Sequence, residues 1–245
     1  MVLIAIAALL CLTGLILATE RGSVIVNYLR VRLGSVYTTA ERLEMHGANV
    51  ESRLQPAFAA AHLTYPPAEI AFVTIKQTRE LHLYARPSPD TAWTLVRTYP
   101  VLALSGYLGP KLREGDKQVP EGFYRAEFLN PNSLFHVSIR LNYPNAADKA
   151  AARADGRTNL GSDIMIHGSS YSVGCIAIGN EAAEDLFVLA AIVGREWVQI
   201  IISPVDFRVP GTRAPDTDQP WIRSLYASLA RELQNFPVAG ARAPD

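Results

Sequence analysis

A lone thiol, Cys175, follows a histidine, His167, by eight residues in the segment Ile164-Met165-Ile166-His167-Gly168-Ser169-Ser170-Tyr171-Ser172-Val173-Gly174-Cys175-Ile176-Ala177-Ile178. The other cysteine, Cys11, lies in an N-terminal apolar run, so Cys175 has no disulfide partner in the rest of the chain. A thiol is mostly protonated at neutral pH, and a nucleophilic one needs a neighbouring base or cation. His167 is the candidate base, which predicts a thiol that reacts with iodoacetamide well below its ordinary pKa. The bland alternative is a buried, inert cysteine. Fully extended, the eight-residue step would span about 26 Å, so sulfur and imidazole meet only if the intervening loop folds back. Gly168, Gly174 and the serines between them permit that return. Gly174 has a second use, because a residue without Cβ lets a substrate carbonyl approach the amides around Cys175, where an oxyanion would be stabilised. Ser172 is a candidate for orienting the loop or the histidine. One Cys and one His without C-x-x-C or H-x-x-x-H do not make a zinc site, so neither metal nor cofactor is expected.

The elements that must position this pair are legible in outline. The chain has 245 residues, with Lys plus Arg and Asp plus Glu at 23 each. That length carries one main domain with helical additions, and the charge balance gives no field to draw nucleic acid. Residues 2–18 contain no charge and only Thr13 and Gly14 as interruptions, which reads as a membrane anchor or uncleaved signal. Arg21, Arg30 and Arg32 follow that run, and by the positive-inside tendency they would place the folded part in the cytoplasm. The two signals conflict, and retention at the membrane is the expectation.

Residues 37–63 carry helical patterning interrupted at Gly47 and Pro56. Beyond Tyr65-Pro66-Pro67, residues 70–76 and 79–85 suggest a hairpin, and 93–104, 123–128, 134–141, 162–167 and 197–202 are further strand-like runs. Many short strands predict a β-sandwich or barrel. One helix is expected to interrupt them, opening at Asn180 with Glu181, Glu184 and Asp185 in its first turns and closing at Gly194. Trp221, Leu225, Leu229 and Leu233 at four-residue spacing predict a C-terminal docking helix.

These residues resemble the L,D-transpeptidase (YkuD-type) catalytic domain of bacterial cell-wall enzymes. The likeness rests on Leu108-Gly109-Pro110-Lys111-Leu112-Arg113-Glu114-Gly115-Asp116-Lys117-Gln118-Val119-Pro120-Glu121-Gly122-Phe123-Tyr124, on Asn130-Pro131-Asn132-Ser133, on Asn142-Tyr143-Pro144-Asn145-Ala146, and on Gly156-Arg157-Thr158 leading to Ile166-His167-Gly168. It implies a mainly β (α+β) β-sandwich-like catalytic domain over 68–208. A membrane segment (1–20) and a helical neck (21–67) precede it, and a connector, C-terminal helix and flexible tail (209–245) follow. It also implies a location in the cell envelope and peptidoglycan stem peptides as substrate, with Cys175 attacking the carbonyl on the L-centre of meso-diaminopimelate and His167 moving the proton.

The commonest family motif is Ser-His-Gly-Cys followed by an apolar residue and Arg or Asn. Here Val173 replaces its second histidine, Ala177 its polar residue, and the His-to-Cys spacing is shorter. That pattern is similar to a subgroup containing a hydrolase that detaches a lipoprotein from peptidoglycan. Transfer to an amine, hydrolysis that releases an attached protein or D-amino acid, and a non-catalytic wall-binding module are the three readings. Lys111, Arg113, Arg157 and His136 are weaker substrate-binding candidates. The bland readings are loop solvation for Lys111 and Arg113, loop anchoring for Arg157, and a solvent-facing strand position for His136. His46, His62 and His82 look structural.

Overall fold

A computed structural model of the chain describes residues 20–34 and 36–238. The elements in chain order are α1 (Glu20–Arg32), α2 (Thr39–Ala60), β1 (Glu69–Ile75), β2 (Glu80–Arg86), β3 (Thr94–Pro100), β4 (Ala103–Leu104), β5 (Gly122–Asn130), β6 (Ser138–Leu141), α3 (Ala146–Ala154), β7 (Met165–His167), β8 (Ile176–Ala177), α4 (Asn180–Val193), β9 (Val198–Ser203) and α5 (Pro220–Glu232). The expected anchor over 2–18 lies outside the described residues. Among those described, no helix is long and apolar enough to cross a membrane.

The strands form one mixed nine-stranded sheet in the order β3-β2-β1-β9-β5-β6-β7-β8-β4, which corrects the expected β-sandwich. β1 and β9 pair in parallel, as do β7 and β8, while the other ladders are antiparallel. Short strands bounded by turn residues read alike in a sandwich and in one long curled sheet, because the alternation reports burial and not the pairing partner.

Helices complete the layers. β1 is buried along its whole length. Ile70 and Phe72 pack into the core shared with α2 and α4, whereas Ala71, Val73 and Ile75 face Ile222, Tyr226 and Leu229 of α5. Burying each large apolar side chain contributes about 1.5–3 kcal/mol. In α2 that contribution comes from Val50, Leu54 and Phe58, one turn apart and fully buried. The helix runs unbroken through Gly47 and Pro56, against the interruptions the sequence suggests. The buried stripe, a Thr38–Glu41 capping box, and Arg53 reaching Asp185 at 2.8 Å on α4 offset the proline's cost of about 3 kcal/mol.

The loop between β4 and β5 forms one wall beside the thiol, and a buried ion pair fixes it. Lys76 Nζ lies 2.8 Å from Glu121 Oε1 with both side chains fully inaccessible, and also donates to Gly109 O at 2.8 Å and Val119 O at 3.0 Å. The Tyr226 hydroxyl donates to Glu121 Oε2 at 2.9 Å, which satisfies the second carboxylate oxygen. Each ammonium proton and both carboxylate oxygens of this pair have a partner, the condition under which buried charges are tolerated.

Candidate active site

The sheet register decides where the two sequence-predicted groups stand. Ser138 on β6 lies opposite His167 on β7, which in turn lies opposite Ala177 on β8. Arg140 lies opposite Met165, and continuing the β7–β8 register by one residue from Ile166 and Ile176 places Cys175 beside Met165. Laterally paired residues share a face, and residues two apart along a strand share it again. His167 lies opposite Ala177, and Cys175 stands in the bend two residues before Ala177, so the register brings the imidazole's strand and the thiol's bend side by side. The intervening row of Ile139, Ile166 and Ile176 points into the core on the other side.

His167 is nearly fully buried, and its ring stacks on Phe135 with centroids 4.7 Å apart. Its Nδ1 lies 2.6 Å from the Gly168 carbonyl, an acceptor only, so Nδ1 carries the proton and Nε2 is left with its lone pair. Burial holds the imidazole below its ordinary pKa, and the Gly168 carbonyl partly opposes this. Gly168 is demanded by space: a Cβ there would stand 2.5 Å from Asn180 Oδ1 and 2.7 Å from Phe135 O. Asn180, the first residue of α4, uses that same oxygen to accept from Ser169 N at 2.8 Å. The start of α4 thus fixes the turn after the base.

Cys175 is half-buried, and its thiol donates to Asp163 O at 3.6 Å. Burial pushes the thiol above its ordinary pKa, the nearby Asp163 carboxylate adds to this, and the Met165 N–H and Lys111 oppose it. Burial thus acts against the low-pKa reactivity that the sequence leads one to expect of a thiol activated by His167. At rest the pair is a neutral thiol and a neutral imidazole, each hydrogen-bonded to a backbone carbonyl. Proton exchange between them requires the thiol to give up its hydrogen bond to Asp163 O.

The loop residues divide by role. Gly174 has φ +86°, and an added Cβ would meet nothing closer than 3.8 Å, so conformation and not space selects glycine. Its N–H donates to Ser105 Oγ at 2.5 Å, while the Cys175 N–H donates to Ser172 Oγ at 3.1 Å. The amides expected to face a substrate oxyanion are thus held by serine hydroxyls. Ser172 also donates to Cys175 O at 2.5 Å, which closes the loop on itself.

The weaker candidates are occupied elsewhere. Lys111 Nζ is tied to Asp116 Oδ1 at 2.7 Å and Arg113 O at 2.9 Å, and Arg113 is exposed on the same loop. Arg157 pairs with Asp155, donates to Leu112 O at 3.0 Å and lies over the Trp221 ring, so it joins α3, the wall loop and α5. His136 is in a turn with φ +78°, not on a strand, and its Nε2 lies 2.7 Å from Glu184 Oε1. His46 Nδ1 lies 3.3 Å from the same oxygen. Among the described residues, His46, His136 and Glu184 are the group whose donor atoms, all within 4.8 Å, could hold a metal ion. However, Arg53 lies 3.2 Å from the second Glu184 oxygen and satisfies its charge. The buried His46 Nε2 also lacks the partner that normally orients a metal-binding imidazole. We assign the cluster to bracing the segment that carries Phe135.

Sequence reasoning missed Asp163, Met165 and Phe135. Their proximity to the thiol or imidazole depends on strand pairing and ring stacking, and no local motif announces it.

The sequence profile of the L,D-transpeptidase catalytic domain (YkuD) matches residues 70–212. Over 134 residues the chain is 35% identical to the protein named "Putative L,D-transpeptidase YafK" of Escherichia coli strain K12, covering 53% of this chain and 51% of that protein. The chain therefore spans about half the length of the curated relatives it matches. Among solved structures, the helical cell shape determining protein Pgp2 from Campylobacter jejuni is 25% identical, with 66% of this chain and 54% of that one covered and a TM-score of 0.45. Bd1075 of Bdellovibrio bacteriovorus is 20% identical, with coverages of 71% and 57% and a TM-score of 0.39.

Proposed function

We propose, from the premise that this chain belongs to the L,D-transpeptidase catalytic-domain (YkuD) family, that it transfers acyl groups of peptidoglycan stem peptides through a thioester on Cys175. The single observation that carries this reading is the pairing of β7 with β8, which sets the strand of His167 beside the bend of Cys175 while the imidazole's Nδ1 is committed to Gly168 O.

In the first half-reaction His167 Nε2 takes the thiol proton as sulfur attacks the peptide carbonyl carbon. The tetrahedral intermediate collapses by breaking the C–N bond, and His167 Nε2 returns the proton to the leaving amine. In the second half-reaction an amine acceptor attacks the thioester, loses its proton to Nε2, and the proton goes to the departing sulfur. Water in place of the amine gives a free carboxyl group and makes the same site a hydrolase. The neutral resting pair supports general-base catalysis at the moment of attack, because a pre-formed thiolate would stand near the Asp163 carboxylate. The substrate places the working protein in the cell envelope.

The test is incubation of the full chain with purified sacculi, followed by mass analysis of the muropeptides, for wild type and Cys175→Ala. New cross-links between third-position residues indicate an amine acceptor, whereas shortened stems or a liberated attached protein indicate water. If no product depends on Cys175, both enzymatic versions fail and a wall-binding module remains.

A further inference from the structure

The bend that leads into the thiol has little to hold it from within. Gly174 sits at φ +86°, a region that glycine leaves as readily as it enters, and a Cβ added there would meet no atom closer than 3.8 Å. Val173, just before it, is 74% exposed and gives the backbone no purchase in the core. The loop between β4 and β5, which walls the thiol, is built in the opposite way. Its Asp116 carboxylate accepts from the N–H groups of Leu112, Arg113 and Gln118 at 2.8, 3.0 and 3.0 Å and from the Lys111 ammonium at 2.7 Å. Arg157 donates to Leu112 O at 3.0 Å, and Glu114 N donates to Asn159 O at 3.0 Å. The Lys76–Glu121 ion pair closes the loop at its base. A stiff loop therefore stands beside a soft bend.

Ser105 joins the two. β4 ends at Leu104, which lies opposite Ile176 at the start of β8, so Ser105 and Cys175 are the next residues at the same end of that ladder. The Ser105 hydroxyl accepts from Gly174 N at 2.5 Å and donates to Lys117 O at 2.8 Å. Close by, Gln118 Oε1 accepts from Tyr107 N at 2.6 Å, which ties the two arms of the loop together a second time. Gly106 admits that side chain, since a Cβ there would stand 1.6 Å from Gln118 Oε1. The hydroxyl is thus fixed by the loop on one side and grips the amide next to the nucleophile on the other.

We propose that Ser105 is a positioning residue for acyl transfer at Cys175, acting through the Gly174 amide and not by touching substrate. Its hydroxyl lends the stiffness of the wall loop to the glycine and so sets the direction in which the chain enters Cys175. That direction matters while the carbon–sulfur bond forms, so its loss falls on turnover and leaves substrate binding alone. The bland alternative is a hydroxyl that only satisfies two backbone groups, whose removal would change stability and nothing else. The role rests on the Cys175 reading for the step that it serves.

The test compares full-length wild type, Ser105→Ala and Ser105→Thr on a soluble muropeptide with a tetrapeptide stem. Ser105→Ala is expected to lower kcat by about 100-fold, the scale of a misplacement near 1 Å, with KM changed by less than about twofold. Ser105→Thr keeps the hydroxyl and should recover most of the loss. Alkylation by iodoacetamide involves no carbonyl addition, so its rate at each pH should match wild type in both variants. Hydrogen exchange at Gly174 N, followed by NMR, should quicken by at least about tenfold in Ser105→Ala, because the amide has lost its acceptor. Wild-type kcat in Ser105→Ala overturns the proposal, as does unchanged exchange at Gly174 or a Ser105→Thr variant as slow as Ser105→Ala. An alkylation rate that shifts together with kcat also overturns it, since the whole site would then have loosened. If wild type itself forms no Cys175-dependent product, the acyl-transfer reading fails and takes this role with it. If wild type and Ser105→Ala turn over alike, the role of Ser105 falls alone.

Discussion

Replacing Gly168 by alanine tests whether the turn after the base is set by contact distance. The backbone there is not left-handed, so alanine brings no conformational strain and the whole effect is steric. The new Cβ would lie 2.5 Å from Asn180 Oδ1 and 2.7 Å from Phe135 O. An ordinary contact begins at 3.4 Å, so the neighbours must retreat by 0.9 Å and 0.7 Å, the differences from that distance. Moving the Asn180 amide strips Ser169 N of its acceptor, at a cost of about 1 kcal/mol. Overpacking adds about 1–3 kcal/mol. The expected total of roughly 2–4 kcal/mol would lower Tm by on the order of 5–15 °C for a chain of this size. The Phe135 carbonyl is backbone, and its displacement carries the ring that stacks on His167. Since a misplacement near 1 Å costs on the order of 100-fold in rate, turnover on sacculi should fall by about that factor at temperatures where the variant remains folded. Thermal unfolding and muropeptide release are measured on the same preparation. Wild-type Tm together with wild-type turnover would refute the argument.

The neutral resting pair predicts that alkylation of Cys175 by iodoacetamide climbs with pH toward a value above that of an ordinary cysteine. A rate already at its plateau near pH 7 would show a pre-formed thiolate instead. Turnover should be lost on acidification only below the ordinary imidazole pKa, because burial depresses His167 and the base must be unprotonated; a steep loss starting above pH 7 contradicts this. Lys76→Met leaves the Glu121 carboxylate buried without its cation and should cost about 3–5 kcal/mol in urea unfolding, most of it recovered in Lys76→Met/Glu121→Gln. No recovery in the double variant would mean that the cost comes from packing. Burial alone would raise the Glu184 carboxyl, but the hydrogen bond from His136 and the charges of His46, His136 and Arg53 outweigh it and leave the group below its ordinary pKa. Its contribution is therefore present above the unfolded-state pKa, near 4.3, and lost as pH falls through the lower folded value. The stability gap between wild type and Glu184→Gln should shrink from pH 5.5 to pH 3, and a constant gap would contradict the assignment.

What could be read from the sequence was local. Cys175, His167 and the two glycines lie within one short stretch, so their types and spacing announce a strand, a tight return and a second strand. The α4 start at Asn180 was visible for the same reason. The curled sheet was not, because alternation along β1 or β9 does not say that the two pair in parallel. Helix α3 escaped because it buries only Ala152 and shows no apolar stripe. Its signals are the alanines and the Asn145–Asp148 capping box. The charged candidates misled in a related way. Lys111 and Arg157 are conspicuous in the chain but are tied to carboxylates and carbonyls nearby, whereas Met165 meets the thiol only once β7 and β8 are paired.

The surroundings of Cys175 also bear on how the proposed chemistry would limit side reactions. A thiol kept protonated by burial and by the Asp163 carboxylate is a poor target for small electrophiles. The imidazole is backed by Phe135 and fixed by Gly168 with Nε2 left as its free acceptor. Removing the Asp163 charge in Asp163→Asn should therefore speed alkylation of the free thiol at neutral pH, and an unchanged rate would mean that burial alone keeps the sulfur protonated.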